Sequence, residues 1–202
     1  MEKIKLKKPT NQLIDKYIKI FNHDERYFLS DRAIINLFKA FPNNNKLEDI
    51  LLKISVINDL YSTNILSTFN LAKHIKRLNI DKDLSNGCPQ LVHKIATGHE
   101  IRISRSNTEI NFYSFATKYC NWHNRKDYAI YDSFVDKLLW AYKNSDGFDT
   151  FKRTDLKDFN KFKQIIENFI SFYDLTSHNL KEIDKFLWMY GKEKFPNKNY
   201  SS

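Results

Sequence analysis

Apolar residues recur every three or four positions along most of the chain, which is the spacing that predicts amphipathic α-helices. Turn-forming residues separate the apolar stretches, and Pro42 with the asparagines that follow it ends one of them firmly. The predicted helices span about 10–21, 30–41, 46–64, 67–78, 89–97, 112–123, 132–142, 154–173 and 180–191. We therefore predict an all-α fold of about nine helices.

Residues 99–107 are the one stretch in which apolar and polar residues alternate. The apolar residues Ile101 and Ile103 alternate with polar ones that include Arg102 and Arg105, so we expect a loop or a short extended segment there. Two arginines just before the central helices would suit contact with phosphate groups.

Residues 112–142 form the centre of the chain and are predicted to be a helix, a polar turn and a second helix. Asp132, followed by Ser133, stands where the second helix begins. A carboxylate at this position can accept the free amide hydrogens of the first turn and is stabilised by the helix dipole. On residue types alone, Asp132 is therefore a helix cap at least as readily as a reactive group.

The composition agrees with a helical protein that binds a polyanion. Only 4 Gly and 4 Pro occur among 202 residues, which argues against a loop-rich β protein. The formal net charge is +9, and a basic excess favours an anionic partner such as nucleic acid. Part of the lysine excess can instead reflect an AT-rich genome.

The cysteines and histidines do not form a metal-binding pattern. Cys88 and Cys120 lack the second close pair that structural zinc sites use, and Cys120 falls on an apolar helix face, where a buried free thiol is expected. We therefore expect no metal and no other cofactor. The charged N-terminus and the lack of a long apolar run predict a cytoplasmic protein without membrane segments.

Two short patterns within residues 112–139 resemble a known family. The first is Ala116-Thr117-Lys118 within an apolar helix, and the second is Ala129-Ile130-Tyr131-Asp132-Ser133-Phe134-Val135 followed by Leu138. Together they resemble the helix-hairpin-helix DNA glycosylases, most closely the divergent branch that is similar to 8-oxoguanine DNA glycosylase. The resemblance extends over roughly residues 46–190. It implies that Asp132 is the catalytic carboxylate at a helix N-terminus.

The resemblance also implies an architecture. We expect a single glycosylase-like unit with two lobes and a basic cleft. The first lobe would comprise about 10–64 and 154–191, the second about 65–143, and residues 192–202 would form a frayed tail.

Further site residues follow from the resemblance. Lys118 is the candidate nucleophile of a bifunctional enzyme if the loop before Asp132 is shortened, whereas a gapless alignment puts Ser114 or Tyr113 in its place. The remaining candidates are the DNA-binding residues Asn58, Tyr61, Asn64, Arg102 and Arg105, and the base-pocket residues Tyr113, Trp122, His123 and Tyr131, each of which is equally a core residue.

One departure from the family leaves the function open. The hairpin of the family carries a glycine-rich turn that grips a DNA phosphate, but residues 107–113 contain neither glycine nor proline. The expected function is a monomeric DNA glycosylase that flips a modified base out of double-stranded DNA, in base-excision repair or antiviral defence. A non-catalytic DNA-binding relative and a basic protein–protein adaptor are the alternatives.

Overall fold

The fold is entirely helical in the computed structural model, which describes residues 5–196. About 65% of the chain is helical, in ten α-helices and one 3-10 helix at Arg153–Lys157. The α-helices are α1 Asn11–His23, α2 Glu25–Ala40, α3 Leu47–Leu60, α4 Thr68–Leu78, α5 Asp81–Ser85, α6 Gln90–Ala96, α7 Tyr113–His123, α8 Ser133–Asp146, α9 Phe159–Phe172 and α10 Leu180–Lys194. The all-α prediction is confirmed, and the short α5 is the helix that periodicity missed.

The alternating stretch at 99–107 is a loop with one antiparallel bridge, between Arg102 and Glu109. Residues 5–196 contain no other β structure. The expectation of a loop or short extended segment is thus confirmed. None of the helices in this range is long and apolar enough to cross a membrane.

The chain divides into two compact units. The first combines Met1–Phe28 with Tyr131–Ser202, and the second is Leu29–Ile130. These bounds differ from the predicted lobes, because residues 29–64 group with the second unit and residues 131–143 with the first. The reason is packing, since α3 lies against α4 and α7, whereas α8 lies against α10.

In the first unit, α10 packs against both α1 and α8. Gly191 lies inside α10, and a Cβ atom there would be 2.7 Å from the backbone oxygen of Phe134, at the start of α8. The absence of a side chain therefore lets the two helices approach closely. The sequence placed the helix end at Gly191, but α10 continues to Lys194, so the predicted tail begins later; residues 197–202 lie outside the described part of the chain.

In the second unit, α3 and α7 supply much of the core. Ile50, Ile54 and Ile57 of α3 are completely buried, as are Tyr119 and Cys120 of α7. Burial raises the pKa of the Cys120 thiol far above its usual value, so this cysteine is a protonated core residue, as its position on the apolar face predicted.

The turn after α5 depends on Gly87. Its φ of +63° is left-handed, and a Cβ atom would lie 2.7 Å from the Cβ atom of Asp127. Its backbone nitrogen donates to the carbonyl of Leu84 at 3.1 Å. Asn86 and Gly87 therefore form a turn, and both the backbone angle and the lack of space require glycine at position 87.

Candidate functional site

Asp132 is the N-cap of α8. Its backbone is extended, with φ −143° and ψ 157°, and its Oδ1 accepts the amide hydrogen of Phe134 at 2.9 Å. The side chain is half-buried. The predicted cap is confirmed, and the hydrogen bond fixes the carboxylate at the N-terminal end of α8.

A buried acidic group lies one turn further along α8. Asp136 accepts hydrogen bonds from the Tyr131 hydroxyl at 3.0 Å and from Nε and Nη2 of Arg153 at 2.9 and 2.7 Å. Burial and the neighbouring Asp136 raise the pKa of Tyr131, so its phenol stays protonated and keeps donating. This network fixes the side chain of Tyr131, the residue before Asp132. The sequence carried no signal for Asp136 or Arg153, because their partners come from other turns and elements.

Lys118 belongs to the second unit and is buried within α7, with 1% of its surface exposed. Its Nζ lies 2.5 Å from Ser114 Oγ and 3.5 Å from the Ser114 carbonyl oxygen, one turn earlier on the same helix. The same nitrogen lies 5.5 Å from the centre of the Tyr61 ring. The structure thus brings Lys118 together with Ser114, the residue that the gapless alignment offered as its alternative.

Tyr61 also contacts Trp122. The indole nitrogen of Trp122 donates to the Tyr61 hydroxyl at 3.2 Å, and the Arg125 guanidinium lies 4.5 Å from the Trp122 ring. Three predicted residues, Tyr61, Lys118 and Trp122, therefore form one cluster at the meeting of α3 and α7. Tyr61 was predicted to contact DNA, and in the structure its ring lies beside the amine of Lys118.

His123 and Tyr113, two predicted pocket residues, are packed against other side chains. Burial, and then the neighbouring Lys53, lower the pKa of His123 to about 3, so its ring is neutral. Tyr113 is buried and stacks on His93, with the ring centres 5.6 Å apart. The surroundings of both residues match the alternative prediction, in which each of them is a core residue.

Lys53 is a buried charge that the sequence gave no reason to single out. It is completely buried, and its Nζ donates to the carbonyls of Phe41 and Asn43 and to Oδ1 of Asn44 at 3.2, 2.9 and 2.7 Å. Burial lowers the pKa of Lys53 to about 8. Because its acceptors come from the loop between α2 and α3, Lys53 anchors that loop.

The loop after α3 is organised by Asn58. Its Oδ1 accepts from the Ile65 nitrogen and the Thr63 hydroxyl, both at 2.8 Å, and its Nδ2 donates to the Ile65 carbonyl at 3.1 Å. Asn58, predicted to bind DNA, is thus engaged with its own loop. Asn64 is exposed and left-handed, with φ 57°.

Leu66 follows the buried Ile65 in this loop, and its side chain is completely exposed. A leucine held out in water by an anchored loop buries no apolar surface in this chain, so its side chain is available to a partner. Sequence reasoning overlooked Leu66, although it stands directly beside the Asn58–Asn64 segment that was singled out.

The two arginines of the 99–107 loop are both exposed. Arg102 Nη1 donates to the Asn107 carbonyl at 2.7 Å, which stiffens the loop. Arg105 has no hydrogen bond or ion pair with any residue of the described range 5–196. Within the same range, no group of three or more His, Cys, Asp or Glu residues could hold a metal ion.

Comparisons with known proteins show one family. The sequence profile of HI_0787_N, described as an N-terminal domain, matches residues 13–127. An uncharacterized protein of Haemophilus influenzae is 41% identical over 151 residues, which cover 74% of this chain and 70% of the relative. No solved structure matches the chain significantly. The matched profile includes Lys118 and ends before Asp132.

Proposed function

This chain belongs to the HI_0787_N family, and we propose that it is a DNA glycosylase that removes a modified base from double-stranded DNA. The observation that carries the proposal is the carboxylate of Asp132, fixed by the Phe134 amide at the N-terminus of α8. It stands within the segment that resembles the catalytic segment of helix-hairpin-helix glycosylases. The enzyme acts as a monomer in the cytoplasm, associated with the nucleoid while bound to DNA, and the reaction needs no cofactor.

In this reaction the bond between C1′ of the sugar and the base breaks, and its electron pair leaves with the base. Positive charge develops on the sugar, and the Asp132 carboxylate stabilises that charge. With water as the nucleophile, Asp132 also orients the water and accepts its proton. The cap hydrogen bond keeps the carboxylate in one orientation, so little reorganisation is needed in the transition state.

In a second reaction route, Lys118 replaces water as the nucleophile. A neutral amine can attack C1′ directly and form a covalent intermediate that later leads to strand cleavage. The surroundings of Lys118 include a serine hydroxyl and an aromatic ring, and the amine is almost completely buried.

Base flipping leaves a gap in the stacked duplex, and a side chain has to occupy it. Leu66 suits this purpose better than the predicted Asn58, Tyr61 and Asn64. Apolar side chains are the ones that DNA-bending proteins insert between base steps. Leu66 is fully exposed, and the Asn58 hydrogen bonds hold its loop in place.

The decisive test is mass-spectrometric detection of free bases released from duplexes that carry damaged or virus-modified bases. The variant is Asp132→Asn, since asparagine caps a helix about as well as aspartate and the fold should be retained. The matched control is Asp158→Asn, because Asp158 caps α9 in the same unit through the Lys161 amide. We expect release by wild type and the control but not by Asp132→Asn. Borohydride trapping in the same reactions would detect an adduct to Lys118.

The second candidate is a DNA-binding protein of the same fold without catalysis. Two observations favour this candidate. Asp132 is accounted for by its role as a helix cap, and segment 107–113 lacks the glycines of the catalytic family. No release from any substrate, with salt-sensitive DNA binding unchanged by Asp132→Asn, would establish this alternative and contradict the glycosylase proposal.

A further inference from the structure

A positively charged aromatic cluster lies in the first unit, away from Asp132 in the sequence. Tyr27, in the first turn of α2, is half-buried. Its ring stacks on Phe21 of α1 at 5.5 Å between centres and meets the edge of Trp188 of α10 at 5.1 Å. Three helices therefore fix the position of the Tyr27 hydroxyl.

Two cations converge on that hydroxyl. Arg26 Nη2 donates to the Tyr27 oxygen at 3.0 Å, and Lys192 Nζ donates to it at 2.7 Å. Arg26 and Lys192 are both exposed, and Lys185 lies 4.3 Å from the Phe21 ring. Because the Tyr27 oxygen accepts both hydrogen bonds, its own O–H remains as a donor to a third group.

Neither cation is neutralised by a carboxylate in the described part of the chain. No carboxylate of residues 5–196 forms an ion pair with Arg26 or Lys192. Asp24, the N-terminal neighbour of α2, accepts the Tyr27 amide hydrogen at 3.2 Å instead, and Glu25 forms no ion pair with either cation among the described residues. Two like charges that share one acceptor repel each other, and an anion placed between them would remove the repulsion. Arg26 also lies in the first turn of α2, where the helix dipole disfavours a cation.

From this arrangement we infer that Arg26, Tyr27 and Lys192 bind one or two phosphates of the DNA backbone. A guanidinium, an ammonium and a phenolic hydroxyl supply the charge-assisted hydrogen bonds that phosphodiester oxygens accept. These contacts carry no sequence information and would position the duplex on the first unit. The inference rests on the proposed DNA partner, but it does not depend on base excision.

The test measures how the affinity for an unmodified duplex depends on salt. The variant is Arg26→Ala/Lys192→Ala, and its matched control is Lys82→Ala/Lys157→Ala, which removes two exposed lysines and the same charge elsewhere. Each lost phosphate contact lowers the slope of log affinity against log salt by about 0.9. We expect the slope to fall by about 0.9 if one phosphate is bound and by about 1.8 if two are bound, and affinity at 0.1 M salt to fall on the order of 10-fold or 60-fold respectively, with the control close to wild type. Tyr27→Phe keeps the ring and should cause a smaller loss.

Equal slopes and affinities for the double variant and its control would overturn the inference. A second pair of results would also overturn it. If inorganic phosphate shifts the Trp188 indole NMR signal but the double variant loses no DNA affinity, the cluster binds free phosphate and not the DNA backbone. Base release is followed in parallel. Release by wild type with unchanged slopes rejects only this site, whereas a reduced slope without release rejects only the glycosylase.

Discussion

Two substitutions can separate the helix-cap role of Asp132 from the catalytic role that we propose for it. Asp132→Ala removes the acceptor for the Phe134 amide and should lower the free energy of unfolding by about 1 kcal/mol, whereas Asp132→Asn should leave it nearly unchanged. Both should abolish base release. Urea unfolding measures the first effect. Asp158→Ala, at the cap of α9, should show the same loss of stability with normal release, and an equal loss of release there would contradict a special role for Asp132.

His123 should make the protein sensitive to acid. Its pKa is about 3 in the folded chain against an ordinary value of 6.5, because desolvation at its partly buried site and then the nearby Lys53 charge disfavour the protonated ring. Between these values the unfolded chain binds a proton that the folded chain does not. The free energy of unfolding should therefore fall as the pH drops from 6.5 towards 3. The measurement is urea unfolding across this range, with His123→Gln losing this part of the fall and the exposed His23→Gln following wild type.

Residue roles could be predicted where the partner lies within one turn. Asp132 was identified as a cap from its residue type and the apolar residues that follow, and it accepts the expected amide hydrogen. Lys53 could not be identified, because its environment is completed by residues from other elements. Its partner Asn44 also accepts the hydroxyl of Tyr119, which is 75 residues away.

At the scale of elements, the contact between α8 and α10 depends on Gly191. Gly191→Ala adds a Cβ atom 2.7 Å from the Phe134 carbonyl oxygen. This oxygen belongs to the backbone of α8 and cannot easily move away. Crowding of this kind costs about 1–3 kcal/mol and should outweigh the better helix propensity of alanine. Base release should also fall, because Phe134 supplies the amide that fixes Asp132. Thermal unfolding and base release test this, with Asn160→Ala on α9 as a control for helix propensity.

The loop after α3 gives a prediction about base flipping. Leu66→Ala should leave stability unchanged, since the side chain is fully exposed, but it should slow base release from duplex DNA roughly tenfold or more. Release from single strands should change little, because no stack has to be opened. Leu52→Ala, at a partly exposed position of α3, is the control. Equal effects on duplex and single strands would remove Leu66 from the flipping step.

Helices could be predicted from periodicity, but their ends and contacts could not. Sequence spacing located the helices from α1 to α10 except α5, whose five residues are too few to show a period. Gly191 looked like a helix end, since glycine favours that position. Its actual role comes from Phe134, a neighbour on another helix that spacing within α10 cannot reveal.

At the scale of the whole molecule, the net charge of +9 predicts strongly salt-dependent DNA binding. Log affinity should fall linearly with log salt, by about 0.9 for each phosphate contacted, and Asp132→Asn should show the same slope. Fluorescence anisotropy with an unmodified duplex measures it. A flat response would favour the protein–protein adaptor that the sequence left open.

The all-α class could be predicted from composition and periodicity, whereas the grouping of helices could not. Periodicity identifies the buried face of α8 but not the helix that covers it. That helix is α10, which also packs on α1 at the other end of the sequence. The predicted lobe bounds therefore differed from the observed units, although the helices themselves were mostly correct.

The tight turn at Gly87 also bears on how the protein ages chemically. An asparagine followed by glycine loses its side-chain amide when the next backbone nitrogen attacks it, and Asn86-Gly87 has this sequence. Here the Gly87 nitrogen is bound to the Leu84 carbonyl, and Asp127 lies directly against the glycine. The nitrogen cannot turn towards the asparagine side chain without breaking the turn. Deamidation at Asn86 should therefore be slow in the folded protein and rapid once this turn opens, so isoaspartate at position 86 would record past unfolding in a stored sample.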